Sequence, residues 1–228
     1  MQSNTQILVR HGREMNHWFD AVAHLRMKVF RQYPYLYAGS LEYERGYLAS
    51  YARSHESVLI LVVDGKSVVG ASTGIPLAQA DKAFQLPLAG RGVDIDSVFY
   101  CGESVLLPEY RGQGIGHQFF DRREAHAHKL ENFQWTAFAS VDRSHEDPNR
   151  PAQYRSNEAF WLKRGYAPSD MKAQLHWRQI GDDTETTHAM TMWMRALERK
   201  DEDCSRQIPD SPAGKLREFC AASARPAA

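Results

Sequence analysis

A proline followed by closely spaced glycines marks one segment of this sequence as a candidate anion site. Residues 103–116 run Glu-Ser-Val-Leu-Leu-Pro-Glu-Tyr-Arg-Gly-Gln-Gly-Ile-Gly, so an apolar stretch ends at Pro108 and glycines lead into a helical pattern. Glycines allow successive backbone N–H groups to point inward, and a helix N-terminus adds about half a positive charge. The spacing therefore predicts that the amides of residues 112–116 bind a diphosphate.

Two common phosphate-binding motifs fit this segment poorly. A P-loop ends in Gly-Lys-Ser/Thr, whereas the last two glycines here are followed by Ile115 and His117. A dinucleotide-binding fingerprint that began at Gly112 would need its third glycine where His117 stands, and it usually opens a domain. Both of these nucleotide-binding classes are therefore disfavoured.

Three predicted elements precede and follow the glycine-rich segment and would position it. The hydrophobic pattern predicts a strand over 97–107, a helix over 114–130 and a strand over 133–141. Since no further strand fits between these elements, the two strands should be parallel and joined by a right-handed crossover. The glycines would then lie at the N-terminus of the crossover helix.

The rest of the chain supplies further strands. Apolar and β-branched runs predict strands over 5–10, 58–63, 68–72, 175–180 and 189–197. Asp64-Gly65 is a preferred two-residue hairpin turn between the second and third of these runs. Together with the parallel unit they predict an α/β fold of the α+β kind, in which helices flank a central mixed, mostly antiparallel sheet of about seven strands.

Capping residues and prolines predict the remaining elements. Asn16 and Ser40 are candidate N-caps of two helices near the start of the chain. A short helix over 157–164 ends at Gly165, which takes the position of a C-cap glycine. Residues 76–96 have mixed polarity and contain two prolines, so a long loop is predicted there.

Length, composition and charge indicate one soluble, cytoplasmic domain. The chain has 228 residues, of which 43% are hydrophobic, and its 28 basic residues equal its 28 acidic residues. This balance gives no field that would attract nucleic acid or an anionic membrane, and no apolar run is long enough to span one. Residues 1–197 are predicted to form the domain, and residues 198–228 a loosely ordered tail.

The cysteines and histidines do not predict a metal site. Cys101, Cys204 and Cys220 form neither a paired framework nor a Cys-x-x-Cys motif, which suits a reducing compartment. His126 and His128 are two residues apart on a predicted helix and therefore do not face each other.

The glycine-rich segment resembles the signature of the GNAT superfamily of acyl-CoA-dependent N-acetyltransferases. That signature is Arg or Gln, two residues, Gly, one residue, then Gly or Ala, and Arg111, Gly114 and Gly116 meet it. The element order resembles the family over 5–197, and the likeness is specific over 98–130 and 157–166. The resemblance implies a GNAT-like fold, acetyl-CoA as the acyl donor and a parallel strand-helix-strand crossover at the cofactor site.

The resemblance also implies roles for single residues. The backbone amides of residues 112–116 would hold the CoA pyrophosphate, and the preceding strand would pair with the pantetheine arm. A bulge would separate that strand from the strand over 133–141. Tyr33, Tyr35 and Tyr37 either pack against the domain or line the amine pocket, as the corresponding segment does in relatives. The implied cofactor-binding residues are Val105, Leu106, Leu107, Arg111, Gly112, Gln113, Gly114, Ile115, Gly116 and Asn157.

Acetyl transfer to a primary amine requires a base, because an alkylammonium group with a pKa of about 10.4 is mostly protonated at neutral pH. Glu103 is the candidate base, since it lies one pleat before Val105 on the strand that should border the thioester. A carboxylate at this position is equally compatible with a structural role, in which a neighbouring arginine or a backbone donor binds it. The backbone N–H near Leu106 is a candidate donor to the thioester carbonyl.

The general acid is where the sequence departs from the family pattern. Many relatives carry a tyrosine four residues before the glycine that ends the last helix, and this chain has Trp161 there. Indole cannot protonate a thiolate. Tyr154 is the candidate acid, with Tyr100 or water as alternatives.

These features predict an N-acetyltransferase that transfers acetyl from acetyl-CoA to an amine of a small molecule or peptide by direct attack. Trp161 keeps open a non-catalytic acyl-CoA-binding or regulatory module, and a transferase using a longer acyl-CoA is a further alternative. No metal, nucleic-acid or membrane partner is expected. The sequence identifies neither the acceptor amine nor the oligomeric state, although a homodimer is compatible with it.

Overall fold

A computed structural model of the chain describes residues 5–197. The tail predicted over 198–228 lies outside the described residues. The strands are β1 Thr5–Arg10, β2 Val58–Asp64, β3 Ser67–Pro76, β4 Val98–Tyr100, β5 Ser104–Leu106, β6 Trp135–Val141, β7 Ala167–Arg178 and β8 Glu185–Ala196. The helices are α1 Phe19–Phe30, α2 Leu41–Arg53, α3 Lys82–Ala89, α4 Ile115–Lys129 and α5 Glu158–Lys163.

The strands form one mixed sheet, as predicted. Their order is β1-β2-β3-β4-β6-β8-β7, and β5 pairs with β3 beside this path. The β4–β6 pair is parallel and the other pairs are antiparallel. The sheet has eight strands rather than about seven, because the single strand predicted over 97–107 is divided into β4 and β5.

The β2–β3 hairpin has the predicted partners and a turn displaced by one residue. Asp64 pairs with Ser67, so Gly65 and Lys66 form the two-residue turn. Gly65 has a φ of +59°, in the left-handed region that glycine adopts without strain. Both faces of β2 are buried, which explains its continuous apolar sequence.

Helices cover both faces of the sheet and create two separate cores. Side chains alternate between the faces along each strand, so neighbouring residues enter different cores. Tyr100 and Val105 pack in the core under α1 and α2, whereas Phe99, Cys101 and Leu106 pack in the core under α4. The strands that precede the glycine turn therefore contribute side chains to both cores.

Two predictions about local structure are wrong. The Asn16 side chain caps no helix, because a 3-10 segment over Gly12–Trp18 precedes α1 and Trp18 occupies the N-cap position. The loop predicted over 76–96 contains α3, whose N-cap Asp81 accepts a hydrogen bond from Ala83 N at 2.8 Å. Burial of apolar side chains of α3 in the core outweighs the backbone hydrogen bond that its internal proline removes.

The predicted caps of α2 and α5 are both present. The Ser40 hydroxyl accepts a hydrogen bond from Tyr43 N at 3.3 Å, which confirms the predicted cap of α2. Gly165 follows α5 with a φ of +81°, the conformation typical of a residue just after a helix.

Among the described residues, no helix combines the length and the apolar character that crossing a membrane requires.

Candidate active site

The sheet divides where β4 ends. Parallel pairing with β6 runs from Val98↔Trp135 to Tyr100↔Ala137, and Cys101 N then donates to Ala137 O at 2.7 Å. After this point β5 pairs with β3, and within residues 5–197 no ladder joins β5 to β6. A split therefore opens between β5 and the second half of β6, as the resemblance implies.

Two backbone positions of β5, Ser104 and Leu106, face this split. Leu107 N donates to Val69 O at 2.9 Å, and Thr73 N donates to Glu103 O at 3.1 Å. Since alternate residues of an antiparallel strand turn their backbone groups to opposite sides, Val105 also faces β3. Of the three strand residues implied to contact pantetheine, Leu106 is the one whose backbone groups face away from β3.

The glycine turn, defined as Gly112 to Gly116, presents free amides at the start of α4. Gly112 and Gly114 have φ values of +75° and +78°, and Gly114 is the N-cap. Gln118 N donates to Gly114 O at 3.3 Å, whereas the N–H groups of residues 112–117 have no acceptor among the described residues. A Cβ at position 112 or 114 would meet no atom within 4 Å. Such unpaired amides beside open space fit a diphosphate.

Neighbouring side chains fix the glycine turn in place. The Tyr110 hydroxyl donates to Asp64 Oδ2 at 2.8 Å, and Arg111 Nε donates to Leu106 O at 3.2 Å. Gln113 Nε2 donates to Glu109 O at 3.3 Å. The turn is thus attached both to the β2–β3 hairpin and to the strand at the split.

The start of α5 lies beside the glycine turn. Phe160 contacts the ring of His117 with a centroid distance of 4.9 Å, and a Cβ on Gly116 would lie 3.6 Å from Phe160 Cζ. Asn157 is the N-cap of α5, and its side chain is exposed and caps no backbone amide. This exposed amide leaves Asn157 free for the cofactor contact that the resemblance implies.

Glu103 lies in the connection between β4 and β5 and is bound by an arginine. Its Oε2 is 2.8 Å from Arg26 Nη1 and accepts a hydrogen bond from the Tyr47 hydroxyl, also at 2.8 Å. Its Oε1 is buried without a hydrogen-bond partner. The neighbouring arginine that the structural alternative requires is therefore present, and the role of Glu103 as a base stays a prediction.

The same arginine binds a second buried carboxylate. Arg26 Nε donates to Glu44 Oε2 at 2.5 Å, and Glu44 is fully buried with its Oε1 unpartnered. Burial lowers the pKa of Arg26, but the charge of Glu103, Tyr47 and the charge of Glu44 outweigh it and raise that pKa well above its ordinary value. We refer to Arg26, Glu44 and Glu103 as the carboxylate cluster.

Sequence reasoning did not find two members of this cluster. Arg26 lies four residues after Val22, and Glu44 lies four residues before Leu48, so each charge falls on the apolar face of its helix. A charged residue on an apolar face was the available signal. It indicates a buried partner without identifying that partner.

A chain of hydroxyl groups extends the cluster to β3. The Tyr47 and Tyr51 hydroxyl oxygens are 2.8 Å apart. Burial raises the pKa of both tyrosines, so both remain neutral hydrogen-bond donors at physiological pH. A Cβ on Gly102 would lie 2.1 Å from the Tyr51 hydroxyl and 2.6 Å from Thr73 Oγ1. Only glycine fits at this point of close approach.

The three predicted pocket tyrosines, Tyr33, Tyr35 and Tyr37, contact different parts of the domain. Tyr35 contacts Phe30 at a ring distance of 4.6 Å, and burial raises its pKa to about 12. For Tyr37, burial and then the charge of Glu44 raise the pKa, which relates this residue to the carboxylate cluster. Tyr33 contacts Tyr154 edge-on at 4.6 Å.

Arg143 connects the tyrosine segment to the loop after β6. Its Nε donates to Pro34 O at 2.7 Å and its Nη2 donates to Tyr35 O at 3.1 Å. Arg143 is partly buried, and it supplies the donors that these two backbone carbonyls need.

The acid candidates differ in their surroundings. Trp161 packs against Phe138 and Trp193 at ring distances of 5.0 and 5.1 Å, so the family's acid position is part of an aromatic core. Tyr154 is half-buried and Tyr100 is fully buried, and burial raises the pKa of both. Tyr154 as the acid stays a prediction.

A depression of ≈ 350 Å³ lies at the opposite end of the β4–β6 pair. Its lining includes Asp94, Ser97 and Phe133 but neither Glu103 nor the glycine turn. It is therefore distinct from the candidate site.

Within residues 5–197, His, Cys, Asp and Glu side chains form no group of three or more that could hold a metal ion.

Comparison with known proteins identifies the fold. No family model matches the chain, and no curated protein matches its sequence. Among solved structures, an N-acetyltransferase from Staphylococcus aureus matches 85% of this chain and 99% of its own length, with 12% identity and a TM-score of 0.53. A GNAT-family acetyltransferase from Streptococcus pneumoniae matches 85% of this chain and 100% of its own length, with 10% identity and a TM-score of 0.51.

A tandem GNAT protein from the clavulanic acid biosynthesis pathway is also similar. It has 18% identity and a TM-score of 0.52, and the match covers 76% of this chain and 47% of the tandem protein. At these identities the likeness is one of three-dimensional structure. The chain therefore has the fold of the GNAT-family acetyltransferases.

Proposed function

We propose that this protein transfers an acetyl group from acetyl-CoA to a primary amine of a small molecule or peptide. The observation that carries the proposal is the glycine turn, whose unpaired amides lie at the N-terminus of α4, directly after the strand that borders the split. An unpaired set of amides at a helix N-terminus favours a diphosphate. The fold supports the same assignment.

Acetyl-CoA would supply the activated acyl group. In the proposed complex the amides of Gly112 to Gly116 and the Arg111 side chain bind its diphosphate. The backbone of Leu106, which faces the split, binds the pantetheine arm or donates to the thioester carbonyl. Asn157 contacts the cofactor from the start of α5.

The amine would approach from the other face of the sheet. Leu106 packs with the α4 core, while Val105 and Tyr100 pack with the α1–α2 core, where the carboxylate cluster lies. Glu103 takes one proton from the substrate ammonium on Oε1, which has no hydrogen-bond partner, and the neutral amine then attacks the thioester carbonyl. When the C–S bond breaks, Tyr154 donates a proton to the leaving thiolate, and the second proton that the nitrogen loses replaces it.

Turnover with a panel of amines tests this proposal. Release of free CoA thiol from acetyl-CoA that depends on the added amine is the expected result. Binding of acetyl-CoA without turnover on a broad panel would favour the non-catalytic module that Trp161 keeps open. Calorimetry that detects no CoA binding at millimolar ligand would contradict the proposal.

The acyl chain is tested by competition. Under the proposal, acetyl-CoA competes effectively against longer acyl-CoAs and gives the highest kcat/KM. A preference for a longer chain would keep the transferase and change its donor. The cytoplasmic location and the homodimer stay predictions from the sequence.

A further inference from the structure

We propose that Arg26 and Glu44 are positioning residues for Glu103, with Arg26 fixing one carboxylate oxygen and Glu44 balancing the charge of Arg26 so that Glu103 remains an effective base. This inference rests on the proposed function and extends it from the base itself to the residues that make the base competent.

The first argument is the orientation of the Glu103 carboxylate. Oε2 receives two donors, Arg26 Nη1 and the Tyr47 hydroxyl, each at 2.8 Å, while the buried Oε1 receives none. Arg26 is itself fixed, since its guanidinium lies over the rings of Tyr47 and Phe30 at 4.2 and 5.0 Å. Oε1 is therefore the oxygen that can accept a proton from an amine.

The second argument is the charge of the cluster. One guanidinium faces two carboxylates, so the cluster carries one negative charge in excess. If Arg26 faced Glu103 alone, protonating Glu103 would leave an unpaired buried cation, which is costly. Because Glu44 also binds Arg26, the cation keeps a partner when Glu103 takes up a proton.

The third argument is that a structural brace does not need this excess charge. Asp20 and Arg45 already join α1 to α2 through two exposed hydrogen bonds of 2.7 and 2.8 Å. By contrast, the carboxylate cluster buries Glu44 and Glu103 and leaves one oxygen of each without a partner. Such incompletely paired buried charge costs folding free energy, so a role in the site explains it better than a role as a brace.

The other ionisable groups around the cluster are mainly tyrosines whose pKa values are raised by burial, so they stay neutral. Arg123 of α4 donates to the backbone carbonyl of Glu103 at 3.2 Å rather than to its side chain. The tyrosines come from the 33–37 segment, α2 and β4: Tyr35, Tyr37, Tyr43, Tyr47, Tyr51 and Tyr100.

The pH–rate profile of Glu44→Gln tests the proposal, with Asp20→Asn as the matched control. Glu44→Gln keeps a hydrogen-bond acceptor for Arg26 and removes one negative charge. We expect the acidic limb of its kcat/KM profile to move to lower pH by about one unit, with KM for acetyl-CoA unchanged. Asp20→Asn, which breaks an ion pair between the same two helices, should keep the wild-type profile.

Glu44→Asp is a second variant, because it keeps the negative charge that Glu44→Gln removes. We expect Glu44→Asp to retain the wild-type pH–rate profile. A Glu44→Gln profile identical to that of the wild type would overturn the inference, and so would a Glu44→Asp profile that moves as far as that of Glu44→Gln. Absence of wild-type turnover with every amine would contradict the proposed function, on which the inference rests.

Discussion

Replacing Gly114 with alanine tests the glycine turn as the diphosphate site. Gly114 has a φ of +78° and is the N-cap of α4, and an added Cβ would meet no protein atom within 4 Å. The substitution therefore causes no clash within the protein. Its methyl group would enter the open space that, in the proposed complex, holds the diphosphate.

The substitution should lower both the stability of the protein and its affinity for acetyl-CoA, and the two effects can be measured separately. A non-glycine residue in the left-handed region costs about 1 kcal/mol of stability. If the methyl displaces the diphosphate from one amide, a charge-assisted hydrogen bond of about 1.5–3 kcal/mol is lost. That loss corresponds to a decrease in acetyl-CoA affinity of roughly 10- to 100-fold.

Gly181→Ala is the matched control. Gly181 has a φ of +93°, its added Cβ would also meet nothing within 4 Å, and it lies in the β7–β8 turn, outside the glycine turn. Urea unfolding should show a similar loss of stability in both variants, whereas calorimetry should show weaker acetyl-CoA binding in Gly114→Ala alone. Wild-type affinity in Gly114→Ala, or an equal loss in both variants, would refute the assignment of the glycine turn.

Three further predictions concern the base, its packing and stability. Glu103→Gln should lower kcat with little change in acetyl-CoA affinity, and a fully active variant would make Glu103 structural. Gly102→Ala should lower both kcat and the unfolding free energy, the latter by about 1–3 kcal/mol in urea titrations, because its methyl would displace the Tyr51 hydroxyl. Burial lowers the pKa of His126 despite its hydrogen bond to the Glu56 carbonyl, so the unfolded state binds the proton more readily. The unfolding free energy should therefore fall as pH drops below about 6.5, and His126→Gln should reduce that fall; an unchanged slope would contradict this cause.

The parallel unit and the β2–β3 hairpin could be predicted because their signals are local. An apolar run, a turn dipeptide and a strand-helix-strand order each constrain a few neighbouring residues. The division of strand 97–107 has no such signal, since apolar side chains continue on both sides of the break. It depends on the close approach of Gly102 to Tyr51 and Thr73, which are distant in sequence.

The candidate site, like the fold, was predictable only where its signal is local in sequence. Glycine spacing predicts the turn at Gly112 to Gly116 because the backbone itself would form the site. The partners of Glu103 could not be derived, since Arg26 and Glu44 reach it only when α1 and α2 pack on the sheet. A sequence can indicate that a buried carboxylate needs an arginine without identifying which arginine supplies it.

The distribution of buried charge indicates which step of the proposed reaction the protein assists most. A thiol with a pKa of about 8.5 leaves readily as a thiolate near neutral pH, whereas an ammonium with a pKa of about 10.4 must lose a proton before it can attack. Glu103 lies beside the buried charges of Arg26 and Glu44, whereas Trp161 lies in an aromatic core. A site organised in this way assists most the removal of the proton from the ammonium, and it depends less on Tyr154 as an acid because the CoA thiol is itself fairly acidic. Tryptophan at the family's acid position is therefore compatible with turnover, because the demanding proton transfer occurs on the other face of the sheet.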